Sequence, residues 1–286
     1  MSIAVGISVR SPWLQALLRG RKSWVDVLEF MIDDVLDPES SHARTLRRLG
    51  RKWPLVAHGV ALGIGGADGV DRCYLNAVAE ACARIGARWY TEHLSFVRVG
   101  GIDLGHFVAL DGEDDTLAVL SRNASLVREL VGRPLLLENP ADVLGLFSAE
   151  PQPGRALGRA YTRGLHAAEA GALLDLTNLL YDARNGGWSP DDFLAELDFD
   201  RVVQVHLAGG FERGGLWVDS HSEPVEPDAL ELLREVARRS PNLRAVIIER
   251  DDQLPALDAM LAEVETVRAT LARPRTASTS VGGRSR

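Results

Sequence analysis

The amino-acid sequence predicts an α/β protein that folds as a (β/α)8 TIM barrel in a single domain. Eight short β-type runs follow one another along the chain, separated by amphipathic stretches long enough for helices. Strands that alternate with helices form βαβ units around a parallel sheet. The length of 286 residues suits a closed barrel, which often exceeds the size of an ordinary domain.

The β-type runs are short and apolar. In order along the chain they are 4–9, 24–30, 54–60, 88–94, 134–139, 171–178, 201–209 and 245–250. Between them, the clearest amphipathic stretches are 71–87, 116–132 and 226–240. The eight repeated units favour a closed barrel over an open, doubly wound sheet.

Charge and terminal composition limit the partners and the location of the protein. With 32 basic and 40 acidic residues the formal net charge is -8, which argues against a nucleic acid partner because phosphate binding needs a clustered basic face. The start, "MSIAVGISVR", lacks the layout of a signal peptide, and no apolar stretch approaches the roughly 20 residues of a membrane span. We therefore expect a cytoplasmic protein with no membrane contact.

The end of the chain differs in composition from the rest. Residues 272–286 are rich in Ser, Gly and Arg and have no apolar periodicity. They predict a disordered C-terminal tail that follows a metal-dependent catalytic barrel domain over 1–271.

Side chains that commonly bind metals stand at the ends of the predicted strands. The C-terminal ends of barrel strands converge on one face, where active sites lie. Four of the seven histidines belong to this set, whereas His42, His106 and His166 do not, and Glu29 and Glu92 are weaker candidates because side chains alternate along a strand. The candidates are His58, His93, Glu138, Asp175, Asn178, His206, Asp219, His221 and Glu249.

Taken singly, each candidate has an ordinary structural explanation, such as capping the next helix. Taken together they predict a metal site, because crowded carboxylates repel one another unless a cation lies among them, and neutral imidazoles are further ligands. One catalytic metal takes about three protein ligands, so this larger set favours two or three ions. No cysteine is among the candidates, since Cys73 and Cys82 fall together in one predicted helix, and this excludes an iron–sulfur cluster built from the chain. The nitrogen and oxygen ligands leave iron, manganese and zinc open.

Eight segments resemble, in order, the motifs of the multinuclear non-heme iron-dependent oxidative enzymes, formerly domain-of-unknown-function family 692, a family that includes the methanobactin biosynthesis oxidase. The segments are "GISVR", "VAHGVALGIGGAD", "TEHLSF", "GRPLLLENP", "LLDLTNL", "VQVHLAGG", "VDSHSEPV" and "IIERDDQLP". They cover nearly all of residues 1–265. The resemblance is therefore global.

The resemblance implies a TIM barrel that holds two or three irons in a mixed ferrous and ferric state and uses O2 as co-substrate. It implies oxidation of a ribosomally made precursor peptide, frequently at cysteine, and a small companion protein that recognises the leader peptide is common in the family. Carried over motif by motif, the ligand set coincides with the candidates named above. Of these we expect His93, Glu138, Asp175 and His206 to be catalytic, with Glu138 as the bridging ligand.

Three segments depart from the pattern of the family. The segment "LEFMIDD" (28–34) replaces an Asn-Tyr that many members carry, Phe96 stands where others have Trp, and His106 is additional. The ligand set is intact, so these departures concern the substrate and the product rather than the metals.

Two other functions are compatible with the same residue pattern. A divalent-metal sugar isomerase or phosphodiesterase on a xylose-isomerase-like or endonuclease-IV-like barrel also places His, Glu and Asp at strand ends, but it needs no O2. A non-catalytic barrel would keep its metal as an inert structural element. Metal identity and redox behaviour distinguish these possibilities from the iron oxidase.

Overall fold

The computed structural model describes residues 2–142 and 144–272 and contains a closed barrel of eight parallel strands. The described residues form twelve strands, of which eight build the barrel. In chain order the twelve are β1 (Ala4–Ser8), β2 (Val27–Met31), β3 (Leu55–His58), β4 (Tyr90–His93), β5 (Ser95–Val99), β6 (Ile102–Ala109), β7 (Leu135–Glu138), β8 (Gly171–Asp175), β9 (Val202–Leu207), β10 (Phe211–Arg213), β11 (Leu216–Val218) and β12 (Ala245–Ile248). The barrel order is β1-β12-β9-β8-β7-β4-β3-β2. The predicted fold class is confirmed.

Helices follow the barrel strands and cover the outside of the sheet. They are α1 (Leu14–Arg19), α2 (Ser41–Leu49), α3 (Arg72–Ile85), α4 (Asp114–Val131), α5 (Pro153–Ala167), α6 (Leu176–Gly186), α7 (Pro190–Leu194), α8 (Pro227–Arg239) and α9 (Leu257–Ala272). The three predicted helical stretches correspond to α3, α4 and α8. Sequence signals set their ends: the Asp71 side chain caps α3, and Gly86 ends it in the left-handed conformation that glycine adopts without strain.

Each of the eight predicted strands is present, but the structure shortens most of them. The segment 24–30 becomes a strand only from Val27, because Lys22–Trp24 forms a 3-10 turn. The segment 171–178 ends as a strand at Asp175, whose side chain caps α6. Asn178 therefore lies in the first turn of a helix.

Two β-hairpins had no counterpart among the predicted strands. β5 pairs with β6, and β10 pairs with β11, both antiparallel and outside the barrel. The two hairpins follow β4 and β9, so both extend from the C-terminal side of the barrel. β6 is exposed over most of its length, and β10 and β11 have only three residues each, so none of them resembles the short buried runs on which the strand predictions depended.

The N-terminal part of the barrel interior is apolar. Val27, Val56, Ala245 and Ile247 form a buried cluster of their own, separate from the larger core. Further along the same strands the interior becomes polar, so the barrel closes at one end with hydrocarbon and opens at the other with ligand-type side chains. Gly6 permits this packing, since a Cβ there would lie 2.0 Å from the Val27 carbonyl oxygen.

The predicted C-terminal tail lies outside the described residues except for Ala272, the last residue of α9. The division into a domain over 1–271 and a tail over 272–286 therefore stays a prediction. Within the described part of the chain, no helix has the length and apolar composition needed to cross a membrane.

Candidate metal centre

The predicted ligands meet at the C-terminal face of the barrel. Parallel pairing aligns the strand ends, so that His93 lies beside Glu138 and Asp175 beside His206. A cavity of about 430 Å3, here called the metal cavity, opens there. Seven of the predicted ligands line it: His58, His93, Glu138, Asn178, Asp219, His221 and Glu249. The other two, Asp175 and His206, are fully buried.

A first ligand group joins His58, His93 and Glu138. Their ligand-type atoms all lie within 4.8 Å of one another. The Nε2 atoms of His58 and His93 lie 3.6 and 3.5 Å from the same oxygen, Glu138 Oε2. Two imidazole nitrogens and one carboxylate oxygen are a ligand set that a divalent or trivalent transition metal accepts.

A second ligand group consists of Glu138, Asp175, His206 and Glu249, again with ligand-type atoms within 4.8 Å of one another. His206 Nδ1 lies 3.0 Å from Glu249 Oε2 and 3.6 Å from Glu138 Oε1. Glu138 belongs to both groups and offers Oε2 to one and Oε1 to the other. This geometry suits a carboxylate that bridges two ions.

Several buried ligand-type atoms lack a hydrogen-bond partner among the described residues. They are Glu138 Oε2, Asp175 Oδ2, Asn178 Oδ1, His206 Nδ1, Asp219 Oδ1 and His221 Nε2. Asp219 Oδ1 and His221 Nε2 lie only 2.9 Å apart but are not oriented for a hydrogen bond. Buried polar atoms without partners are costly, and one bound cation satisfies several of them at once. The residues present therefore fit a metal centre.

The Glu29 carboxylate orients His206 from beneath. Glu29 Oε2 lies 3.0 Å from His206 Nε2 and also accepts a hydrogen bond from the Gln204 side chain at 2.6 Å. Trp89 Nε1 in turn donates to Gln204 Oε1 at 2.6 Å. A carboxylate on the remote ring nitrogen fixes the histidine tautomer and leaves Nδ1 as the ligand atom.

His58 and His221 are oriented in the same way. His58 Nδ1 lies 2.7 Å from Thr91 Oγ1, so Nε2 faces the first ligand group. His221 Nδ1 lies 2.8 Å from Asp251 Oδ2, and Arg10 Nε donates to the other oxygen of Asp251 at 3.0 Å. The His221 backbone has a φ of 49°, and its carbonyl accepts a hydrogen bond from the Asp251 amide at 3.0 Å, which supports this strained conformation.

The segment "ENP" links two of the ligand strands. Asn139 accepts a hydrogen bond from the Asp175 amide at 2.8 Å and donates to the Asp175 carbonyl at 3.0 Å. Asp175 Oδ1 accepts from the amides of Thr177 and Asn178, both at 2.7 Å, which leaves Oδ2 to face an ion. Asn139 therefore sets the relative position of two ligands without binding metal itself.

Residues that depart from the family pattern reach the metal cavity. Met31, from the segment "LEFMIDD", and His106 both line it. Phe107, next to His106 on β6, stacks on the His93 ring with centroids 3.9 Å apart and planes 8° apart. Phe96 does not line the metal cavity and pairs with Val108 across the hairpin.

Burial lowers the pKa values of the histidines in the first group and raises those of two carboxyl groups beside them. Burial lowers the pKa of His58 well below its ordinary value and that of His93 to about 4, so both imidazoles are neutral ligands. Burial raises the pKa of Glu138 to about 8 and that of Asp175 to about 7. Without a cation, these carboxyl groups retain protons that a metal would displace.

Two histidines of the centre have the opposite shift. Burial disfavours charge on His206, but the carboxylates of Glu249 and Glu29 outweigh it and raise the pKa of His206 well above its ordinary value. Burial likewise opposes charge on His221, and its contacts with Asp219 and Asp251 raise the pKa. In the absence of metal, protons on these imidazoles compensate the carboxylates around them.

The structure thus unites six predicted ligands in two groups and places three others on the wall of the same cavity. Asn178, Asp219 and His221 belong to neither group. The orienting residues Thr91, Asp251 and Gln204 were not predicted. Their positions follow from strand register and loop closure, and no motif in the sequence marks them.

The fold and this cluster define a TIM barrel with a candidate multinuclear metal centre at its C-terminal face. A sequence profile described as "RiPP precursor modification enzyme MbnB/TglH/ChrH" matches residues 4–272. The chain belongs to this enzyme family, and the predicted resemblance is confirmed.

Relatives align with nearly the whole chain. A UPF0276 protein of Caulobacter vibrioides is 31% identical over 274 residues, which are 96% of this chain and 96% of the relative. A UPF0276 protein of Streptomyces avermitilis is 34% identical over 266 residues, 90% of this chain and 53% of that longer relative.

Solved structures with the same fold include sugar epimerases and an endonuclease. D-psicose 3-epimerase with D-tagatose from Clostridium cellulolyticum has a TM-score of 0.57 at 12% identity, covering 94% of this chain and 99% of that one. Endonuclease IV from Thermus thermophilus has a TM-score of 0.57 at 17% identity, covering 94% and 98%. At these identities the likeness shows the xylose-isomerase-like fold alone.

Proposed function

We propose that this chain is a multinuclear non-heme iron enzyme that uses O2 to oxidise a ribosomally made precursor peptide at a cysteine. The observation that carries the proposal is the pair of buried ligand groups that share Glu138, found in a chain that belongs to a family of peptide-modifying enzymes. The nitrogen and oxygen donors are compatible with iron, manganese or zinc. Iron and O2 enter the proposal through the family resemblance of the motifs.

The two ligand groups would each hold one ion, with Glu138 between them. Unpartnered buried atoms of Asn178, Asp219 and His221 lie on the adjoining wall of the cavity. These residues would hold a third ion or complete the coordination of the ion in the second group. His93, Glu138, Asp175 and His206 are the proposed catalytic ligands. Bound iron would supply a Lewis acid for the substrate thiolate and the electrons that reduce O2.

The chain's own residues prepare the centre for this chemistry. Glu29, Thr91 and Asp251 fix the ring orientation of three histidines through their remote nitrogens. Phe107 covers one face of His93 and shields it from water. The Arg10 guanidinium lines the metal cavity and offsets part of its negative charge. A cavity of about 430 Å3 admits one or two side chains of an unfolded peptide.

Metal analysis combined with Mössbauer spectroscopy of protein purified without oxygen tests the proposal. We expect two or three irons per chain, with ferrous and ferric signals in the same sample. Zinc or manganese alone, with no uptake of iron on reconstitution, would favour a divalent-metal isomerase or phosphodiesterase on the same fold. Tightly bound, redox-silent metal would instead indicate a non-catalytic barrel.

The peptide substrate is tested separately. Full chain loaded with iron should consume O2 in the presence of a cysteine-containing precursor peptide, and the mass of the peptide should change. A companion protein that binds the leader peptide is a further part of the proposal, and its addition should lower the peptide concentration needed for half-maximal rate. Consumption of O2 without any change in peptide mass would argue against peptide oxidation.

A further inference from the structure

A second cavity of about 610 Å3 lies beside the metal cavity. The two cavities have His106, Ala141 and Asp219 in common along their boundary. Most of the remaining lining is apolar or aromatic. We call this second cavity the side groove, and its principal apolar residues are Leu144, Phe147, Leu157, Trp188, Leu216 and Trp217.

The walls of the side groove belong to the segments that follow three proposed ligands. Leu144 and Phe147 lie in the loop after Glu138, α6 begins directly after Asp175, and the β10–β11 hairpin follows His206 on β9. The strand ends that would hold metal therefore continue directly into the groove. A peptide chain with one residue in the metal cavity can place a nearby residue in the side groove.

Specific hydrogen bonds hold these walls in place. The Asp182 carboxylate accepts the Asp142 amide at 2.9 and 3.1 Å, and the Asp142 carboxylate accepts the Leu146 amide at 2.9 Å. Asn185 on α6 donates to the Trp217 carbonyl at 2.9 Å and accepts from the Trp217 amide at 2.8 Å. The loop and the hairpin are thus tied to α6, which makes the groove a formed feature of the fold.

The groove presents apolar side chains to the outside. Leu144 is 66% exposed, Leu216 59% and Val218 38%. Exposed large apolar side chains that gather at a concave site mark a binding surface. The carboxylates of Asp142 and Asp182 accept hydrogen bonds from backbone amides of the loop. The third carboxylate of the lining, Asp219, lies at the boundary with the metal cavity and is a proposed metal ligand, so the groove favours an apolar occupant over a cationic one.

We propose that the side groove binds a bulky apolar side chain, aromatic by preference, that flanks the oxidised residue of the substrate peptide. This inference rests on the proposed function, because it takes the occupant of the metal cavity to be a peptide residue. Extended peptide advances about 3.3 Å per residue, so the flanking residue lies within a few positions of the reactive one. The groove would select peptides by sequence next to the reactive cysteine.

Calorimetric titration of the iron-loaded full chain without oxygen tests the proposal. The probes are acetylated and amidated five-residue peptides with cysteine at the centre and glycine elsewhere, together with versions in which one glycine is replaced by phenylalanine. We expect the best phenylalanine version to bind at least about tenfold more tightly than the glycine peptide, because a buried aromatic side chain loses its contact with water.

Two exposed apolar residues give a matched pair of variants. Leu216→Asp places a charge in the groove and should abolish the gain from phenylalanine. Ile102→Asp makes the same change on the other hairpin, where the side chain is 69% exposed and lines neither cavity, and should keep the gain. Both sites are on the surface, and circular dichroism of each variant checks that it is folded.

The outcomes separate this inference from the proposed function. If cysteine peptides bind but phenylalanine adds nothing, or if the gain survives Leu216→Asp, the assignment of the groove is wrong while peptide oxidation stands. If phenylalanine strengthens binding but replacement of cysteine by serine has no effect, the side groove does bind the apolar side chain, and the assignment of the cysteine to the metal cavity is wrong. Absence of binding by every phenylalanine peptide overturns the assignment. Conversion of a dimer into a monomer by Leu216→Asp, seen in sedimentation, would make the groove an interface between chains and also overturn it.

Discussion

The two ends of the barrel interior are filled in opposite ways. At the N-terminal end, Val27, Val56, Ala245 and Ile247 pack as a closed apolar cluster. At the C-terminal end, imidazoles and carboxylates are just as deeply buried, yet several of their ligand-type atoms lack partners among the described residues. The first end stabilises the fold by removing hydrocarbon from water. The second costs stability unless a partner such as a cation satisfies these atoms, which supports the proposed metal centre at this end.

The largest effect is expected at the residue common to both ligand groups. Glu138→Gln keeps the shape of the side chain but removes its charge, so we expect metal content to fall below one ion per chain and peptide oxidation to fall by about 10^3-fold or more. Glu92→Gln is the matched control, because Glu92 is a buried carboxylate at the end of the adjacent strand that accepts hydrogen bonds from the Leu62 and His93 amides. Equal metal loss in both variants would show that any buried carboxylate in this region is needed only for folding.

The apolar end should show the reverse behaviour. Ile247→Ala leaves a cavity in the closed cluster, so we expect the free energy of unfolding to fall by about 2–5 kcal/mol, with metal content per folded chain unchanged. Urea denaturation and metal analysis of the same samples measure both quantities. Metal-free Glu138→Gln serves as the contrast, since it removes an ionisable group from a buried position and should not lower stability. A loss of metal in Ile247→Ala would mean that the two ends are not independent.

An intermediate effect on metal affinity is expected at Glu29, which lies between the apolar cluster and the ligand groups. Glu29→Gln weakens the contact that orients His206, and loss of such an outer carboxylate costs about 10–100-fold in metal affinity. Competition with a chelator measures the change, while saturating metal should restore full stoichiometry. Unchanged affinity would assign Glu29 to packing of the barrel interior.

The smallest effect concerns pH. Glu138 and Asp175 have pKa values raised to about 8 and about 7 in the folded protein, and the pKa of His206 is raised as well. The folded metal-free protein therefore binds protons that the unfolded chain has lost, so its stability should decrease as the pH rises from about 6.5 to about 8.5. His58 and His93, whose pKa values are lowered by burial, are neutral in the folded protein over this range.

Metal-loaded protein provides the comparison for the pH measurement. Metal displaces those protons, so the stabilisation by metal should grow over the same pH range. Urea denaturation at several pH values, with and without metal, measures both slopes. Parallel slopes in the two forms would show that these groups do not face the metal.

Much of the fold and of the centre was predictable because both depend on local patterns. The eight apolar runs and the polar residues at their ends are visible in the sequence, and parallel pairing brings those ends to one face. The division of the ligands into two groups was not predictable, since it depends on strand register and on which carboxylate oxygen points where. Thr91 and Asp251 were missed because any strand or loop residue of their type would look the same in sequence.

The hairpins were missed for a different reason. β6 is exposed over most of its length, and its alternation of apolar and polar residues stops after Leu104, so nothing in 102–109 indicates that Phe107 stacks on His93. β10 and β11 are three residues each. Residue 210, just before β10, lies close to the end of β11 and must be glycine, because a Cβ there would lie 2.1 Å from the Val218 carbonyl oxygen. Only the folded chain reveals this requirement.

The separation between strand ends and the segments after them has a consequence for how the family can diversify. Six of the proposed ligands lie on barrel strands or directly at their ends, whereas the loop residues 141–142 and 144–148 and the β10–β11 hairpin form the walls beside them. Under the proposed function, insertions and replacements in these two segments would alter which peptides are accepted while the barrel ligands are kept. We therefore expect lineages that act on different peptides to diverge most in length and sequence here, and a graft of both segments together to transfer peptide preference.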